Sequence, residues 1–458
     1  MSNARTLALS APQRGRTAQD GRAAPWSGRI AAMWADPMLR NSAYLALAVA
    51  TMSFLGFVAW LVNARLFTPE AIGEATSLIS AMSLIAYMSL LGFNATLVRF
   101  LPTAERPKEL IDTALTLCCL AGAVIGGLYV ISLPVIAPQL SFITHNLLYT
   151  ISFVVLAACS ALNVLTDAVF IAFRQARYNF IVDGLIQGSS KVLLPFLLVA
   201  LGAFGVFASS GIAMGLAVVA SLYFMRRALS HRYTPTIRRS VVREAFSFSA
   251  ASYVSSVFNL LPLLVVPMIV LDRNGAAAAG YYFVAFQLAN LLYSLALTAT
   301  ETLVAEASRA GSHLRSLALR SFLLIEGVSI AGALIIAGSG HFILLLFGHQ
   351  YSAHATSALL ALAAGAPASA LNAWASGLLK VSQQYKAMVI SNVVYCAVIV
   401  GTAWIGSSHG LGAVSLSWMC GNLAAGGVAV FALGRQWRKT TRASAVALRT
   451  AHEAAGQR

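Results

Sequence analysis

Asp183, Gln187 and Lys191 follow one another at four-residue intervals inside a long apolar run, with Ser190 beside them and Pro195 one turn beyond Lys191. That spacing places all three on one stripe of a helix. A deeply placed ammonium has two readings. It awaits an anionic ligand such as a diphosphate or a glycan acid, or it pairs with Asp167 or Asp183 and ties helices together. The ligand reading is the stronger, because a buried ion pair stabilises poorly compared with apolar packing. A second stripe, Ser160, Asn163 and Asp167, lies in the preceding run, with Arg174 seven residues after Asp167. Asp167 either binds a coupling proton or pairs with Arg174 at the helix end. Further on, Gln287, Asn290, Ser294 and Glu301 share a face, and Glu326 stands two turns into the next run. Ionisable groups inside a membrane are costly and face an interior or a wet cavity.

Asp167, Asp183, Glu301 and Glu326 are therefore the candidate ion-coupling residues. Glu301 has the duller alternative of pairing with Arg309 or Arg320, and Glu326 that of an uncharged carboxyl bonded between helices. Lys191, Arg99, Arg65, Arg273, Asn163, Asn259, Gln287 and Asn290 are the candidate substrate-binding residues. Arg65 and Arg273 fall at equivalent helix ends, where interfacial snorkelling explains them equally well. Arg99 also fits simple anchoring. Hydroxyl and amide stripes (Ser80, Ser83, Tyr87, Asn94; Ser252, Ser255, Ser256, Asn259) are packing contacts one by one. Taken together they suggest a wet cavity able to bond sugars.

The elements that carry these side chains are twelve apolar runs, near residues 43–64, 75–98, 111–133, 147–172, 180–201, 205–225, 247–271, 280–304, 320–340, 355–379, 386–405 and 411–433. Each approaches or exceeds the roughly 20 residues that cross ~30 Å of hydrocarbon. Backbone groups in lipid must be satisfied within their own segment, so the runs are expected to be helices. Of 31 Lys and Arg, all but Arg65, Arg273 and Lys191 lie in the two tails or in every second loop. The positive-inside rule puts that basic side in the cytoplasm, together with both termini. The expected fold class is an all-α polytopic protein of the inner membrane.

Apolar residues make up 59% of the chain and charged ones 10%, far below the roughly 25% charge of a soluble domain. The net charge of +16 sits beside the membrane, where anionic lipid headgroups account for it without nucleic acid. The five cysteines lie in apolar runs without metal-ligand spacing, so no metal or cofactor is expected beyond H⁺ or Na⁺ as a coupling ion. The histidines receive no role. Residues 1–40 form a basic tail without a secretory core, whose stretch 26–40 holds Trp26, Ile30, Met33 and Trp34 and reads as an interfacial helix or as disorder. Pro134, Pro195, Pro262, Pro267 and Pro367 are candidate bends, with Pro262 and Pro267 the best hinge.

The loop Arg226–Glu244 carries six cations and splits the chain into bundles at 41–225 and 246–434, joined by a linker at 226–245 and followed by a tail at 435–458 that reads as a second disordered segment. Aligning Gly73 with Gly280 brings Leu97-Val98 within one residue of Leu303-Val304, a faint internal repeat. Two matched halves are a common transporter plan, with the path at their interface.

The turn Pro69-Glu70-Ala71-Ile72-Gly73, the stretch Leu97-Val98-Arg99-Phe100-Leu101-Pro102, and Gly275 with Gly280-Tyr281 resemble the Wzx-like polysaccharide flippases of the multidrug/oligosaccharidyl-lipid/polysaccharide exporter superfamily over residues 40–435. Arg65, Pro69, Glu70, Gly73, Arg99, Gly275 and Gly280 match positions of its pattern. The resemblance implies two six-helix bundles, alternating access, and an undecaprenyl-diphosphate-linked glycan as cargo. It also implies membrane lipids, and polysaccharide polymerase and export proteins, as partners. A multidrug cation antiporter of the same superfamily is the alternative, which Lys191 weakens. A membrane-bound glycan polymerase or glycosyltransferase is disfavoured by short outer loops almost without carboxylates, and no ATP-binding motif is found. A scaffold would leave Lys191 without purpose.

Overall fold

The computed structural model describes residues 37–310 and 314–456, with side chains at 37–43, 46, 240–252, 254, 295, 301–318 and beyond 436 outside the description. The described elements are all helical. The first half comprises α1 (Pro37–Leu66), α2 (Pro69–Ser89), α3 (Phe93–Phe100), α4 (Pro107–Ile136), α5 (Leu147–Ala172), α6 (Ala176–Asn179), a π-helical stretch (Phe180–Gln187), α7 (Gly188–Leu198) and α8 (Gly202–Ala228). The second comprises α9 (Arg239–Asn274), α10 (Ala276–Ala310), α11 (Leu314–Phe347), α12 (His349–Ala364), α13 (Ala366–Val381), α14 (Tyr385–Gly406) and α15 (Leu411–Gly456). Eleven segments are long and apolar enough to cross a membrane. One of them, Ala176–Ala228, has 53 residues, over twice the ~20 that a crossing needs. It turns at Gly202, where φ is +55°, into two lengths that are each long enough to cross, so the described residues hold twelve candidate crossings.

Two crossings are broken. The second changes course at Leu91 and Gly92, with φ of +49° and +82°. The tenth breaks at Gly365, and Pro367 stands at the start of α13, where its missing N–H costs nothing. The expected hinge at Pro262 and Pro267 is not a break, since both lie within the continuous α9. The linker is also shorter than expected: α8 ends at Ala228 and α9 starts at Arg239, leaving residues 229–238. A third correction concerns the tail after residue 434, which continues as helix to Gly456, as its Ala, Leu and Arg content favours. The segment 26–36 and the rest of the N-terminal tail lie outside the described residues.

Outward faces carry Ile131, Val135, Leu197 and Leu334 exposed, as a lipid-facing surface requires. Inward faces are rich in Ala, Gly and Ser, which let helices approach closely.

The repeat is visible in the backbone. Arg174 and Gln383 both adopt left-handed φ, +55° and +56°. Around them the hydrogen bonds match one for one: Gln175 N donates to Phe170 O at 2.8 Å, and Gln384 N donates to Leu379 O at 2.9 Å. Each turn caps the carbonyls of a helix end. The α5–α6 corner and the α13–α14 corner are therefore the same structure in two copies.

The linker is strapped to α4. Asp112, 1% exposed, accepts from Thr234 Oγ1 at 2.6 Å and lies 3.0 Å from His231 Nε2. Arg238 N donates to Thr113 Oγ1 at 3.1 Å. The basic segment is thus held against the first half.

Candidate functional site

A cavity of about 840 Å³ lies among α9, α10, α13, α14 and α15, all of the second half. It runs from Lys380, in the last turn of α13 beside a basic loop, to Phe286 and Trp418. Amides and hydroxyls dominate its polar wall: Asn259, Asn290, Asn372, Asn392 and Asn422 with Ser255, Ser369 and Ser376. Several are fixed by each other. Asn372 Nδ2 donates to Asn422 Oδ1 at 3.0 Å, and Asn392 Nδ2 donates to Ser255 Oγ at 2.8 Å. The aromatic end is held likewise, with Trp418 Nε1 donating to Tyr282 OH at 2.7 Å. A second, smaller cavity of about 260 Å³ lies between α1 and α10, lined by Met52, Trp60, Gln287 and Asn290.

The first half holds a different cluster. Asn163 Nδ2 donates to Asp183 Oδ1 at 3.1 Å and faces Asp167 at 3.4 Å, while Gln187 Nε2 donates to Asn163 Oδ1 at 3.3 Å. Asp167 and Asp183 are also within hydrogen-bond reach of each other. A carboxyl donates only when it carries a proton, so this pair can hold one proton between its oxygens. Lys191 stands two turns beyond Asp183, near enough for the two charges to act on one another. The backbone under Asp183 and Gln187 is π-helical, a wide turn that re-aims side chains and recurs at functional sites.

The structure therefore brings together Asn163, Asp167, Asp183 and Gln187 in one place and Asn259 and Asn290 in another. Gln287 sits at the smaller cavity. Arg65 is engaged elsewhere: its Nε and Nη2 donate to Leu346 O at 3.0 and 2.7 Å, tying α1 to the end of α11 across the halves. Arg273 lies 3.8 Å over the Trp404 ring and 3.9 Å from Asp272. Arg99 is exposed, its guanidinium 5.7 Å from the Phe100 ring. Glu326 is half-buried on α11. Glu301 lies on α10 with its side chain outside the described residues, as does Ser252 on α9.

Asn372, Asn392, Asn422, Lys380 and Tyr395 escaped the sequence reading, and Trp418, whose place near a helix end reads as an interfacial belt position, is instead buried in the bundle. The signal was present: Ser369, Asn372 and Ser376 share one helical stripe, and Trp418 and Asn422 are four apart. An amide carries no charge to mark it within an apolar run.

A family model described as "Polysaccharide biosynthesis protein" matches residues 38–304, more than half of the chain. The chain belongs to this polysaccharide biosynthesis family. No curated protein matches it in sequence. Solved structures show the fold. An inward-facing multidrug resistance MATE family transporter of the MOP superfamily superposes with a TM-score of 0.67 at 15% identity, over 87% of this chain and 99% of the other. The lipid II flippase MurJ, in an inward closed conformation, gives 0.66 at 12% identity, over 85% and 87%. An outward-facing MATE structure gives 0.58 at 14% identity, over 89% and 96%. The family is thus one of polysaccharide biosynthesis, and the fold is the multi-helix membrane fold seen in the MATE transporters and in MurJ.

Proposed function

We propose that this polysaccharide biosynthesis family member flips an undecaprenyl-diphosphate-linked oligosaccharide from the inner to the outer leaflet of the cytoplasmic membrane, during assembly of a surface polysaccharide. One observation carries the reading: a cavity of about 840 Å³ walled by amides and hydroxyls inside a bundle whose outer surface is apolar. Sugars offer many donors and acceptors and little charge, and such a wall answers them group for group. The likeness to a lipid II flippase supports a lipid-linked cargo. The basic loops mark the cytoplasmic side by the positive-inside rule, and the cavity reaches Lys380 at that side.

Cargo and ion would use separate halves. The Asp167–Asp183 pair takes a proton, or a sodium ion, from outside and releases it inside, which returns the emptied protein to the inward state. Such coupling requires the ion to bind the two states with different affinity. A multidrug cation antiporter remains a poorer fit, because the cavity wall offers an organic cation no carboxylate among its described residues. The test is deletion of the gene, followed by assay of lipid-linked glycan on the cytoplasmic face. Accumulation there with loss of surface polysaccharide is expected. Normal surface polysaccharide without accumulation would overturn the reading.

A further inference from the structure

The matched corners at Arg174 and Gln383 fix a residue-by-residue correspondence between the halves. Counting back from them, Ser160, Asn163 and Asp167 coincide with Ser369, Asn372 and Ser376. Counting forward, Asp183 coincides with Asn392. The geometry agrees with the count. Asn163 faces Asp167 at 3.4 Å, and Ser376 Oγ donates to Asn372 Oδ1 at 3.4 Å. Asn163 and Asn372 are equally buried, at 6% and 7% exposure. Equivalent positions are thus polar in both halves, with two carboxylates in the first and a hydroxyl and an amide in the second. The partners differ, since Asn163 donates to Asp183 whereas Asn372 donates to Asn422 and Asn392 to Ser255.

We propose that the second-half cluster is the neutral member of this pair and reads the uncharged sugars of the cargo, rejecting glycans that bear carboxylates, while Lys380 at the mouth holds the diphosphate. This rests on the flippase reading and names its substrate class. Tyrosines aside, Lys380 is the sole ionisable side chain among the described residues of the wall. A uronate carried past it would lose water and find no cation, and an unpaired buried carboxylate is expensive. Uncharged hexoses and N-acetylhexosamines meet no such cost. Each amide offers them two N–H donors and a carbonyl acceptor. Asn372 and Asn392 are held in place by Asn422 and Ser255, so little freedom is lost when a sugar binds. Asn259 and Asn290 project into the cavity exposed. At about 840 Å³ the site lies in the upper part of the ~300–1,000 Å³ range of small-molecule pockets.

The test uses the purified full chain in phosphatidylethanolamine/phosphatidylglycerol nanodiscs and three probes. These are a short-chain prenyl diphosphate alone, the same carrier with an uncharged trisaccharide of hexose and N-acetylhexosamine, and that glycolipid with one hexose replaced by glucuronic acid. The uncharged glycolipid is expected to bind at least about tenfold more tightly than the acidic one. Asn290→Leu and Asn259→Leu should weaken only the uncharged glycolipid, while Lys380→Gln should weaken all three probes alike. Either asparagine variant suffices if the other fails to fold. Equal binding of the two glycolipids overturns the proposal. So does an uncharged glycolipid that binds no better than the bare carrier, although the flippase reading then stands. If no probe binds, the flippase reading fails and this proposal with it.

Discussion

Gly73 and Gly280, which hold equivalent places in the two halves, meet backbone to backbone. A methyl group on Gly73 would stand 1.8 Å from Ala276 O, and one on Gly280 would stand 2.3 Å from Pro69 O. Equivalent residues touch each other only near the axis that relates their halves. The α2–α10 contact is therefore where the pseudo-twofold axis passes, at the end of the bundle that carries Arg65 and Arg273.

Gly73→Ala or Gly280→Ala should force that contact apart. Overpacking of this kind costs about 1–3 kcal/mol, and here it falls only on the state in which the two turns touch. Asn63, 5% exposed near this end, provides the reporter. A cysteine at position 63, in a background without the five native cysteines, should react faster with a membrane-impermeant maleimide in either alanine variant. An unchanged rate would show that the contact persists in both states.

Arg65 ties α1 to α11 at the same end through its two hydrogen bonds to Leu346 O. Because the guanidinium is exposed, Arg65→Gln should cost no more than about 1 kcal/mol. The same reporter should show a several-fold faster reaction, while affinity for the bare prenyl diphosphate stays unchanged. A fall in that affinity would instead make Arg65 a ligand for the diphosphate.

Asp167→Asn and Asp183→Asn would give the first half the neutral chemistry of the second. In proteoliposomes with an imposed pH gradient, each variant should lose the gradient-driven part of transport and keep its cargo binding. Neutral isosteres retain the hydrogen bonds with Asn163, so melting temperatures should change little. If gradient-driven transport survives both substitutions, coupling lies elsewhere, and Glu301 and Glu326 become the groups to change.

Asp112→Ala should release the linker. Removing a buried acceptor leaves its partners unsatisfied, at about 1–3 kcal/mol, and here the partners are His231 and Thr234. Trypsin should then cut after Arg232 several-fold faster, and the melting temperature should fall. Asp112→Asn keeps an acceptor for Thr234 and should lie between. No change in cleavage would mean that backbone contacts such as Arg238 N to Thr113 suffice.

The long apolar helices were legible in the sequence because hydrocarbon is a simple solvent. It demands runs of about twenty apolar residues and penalises every exposed amide. The acidic cluster was legible too, since Asp167, Asp183 and Lys191 stand out against their surroundings. The asparagines of the cavity were not, because a neutral amide in an apolar helix reads as packing until its neighbours are known. The break of the tenth crossing was legible too, since Pro367, two residues after Gly365, stood among the candidate bends.

By itself the sequence determined which segments are long apolar helices, because that follows from local composition and spacing. Only the tertiary structure decided which stripes face one another. It placed Arg65 on a carbonyl of the opposite half, set Asp167 against Asp183, and gathered five asparagines from α9, α10, α13, α14 and α15 into one cavity. The reason is physical. A helix fixes the face on which a side chain lies, but its partner is set by how helices far apart in the chain pack, and no spacing along one helix encodes that.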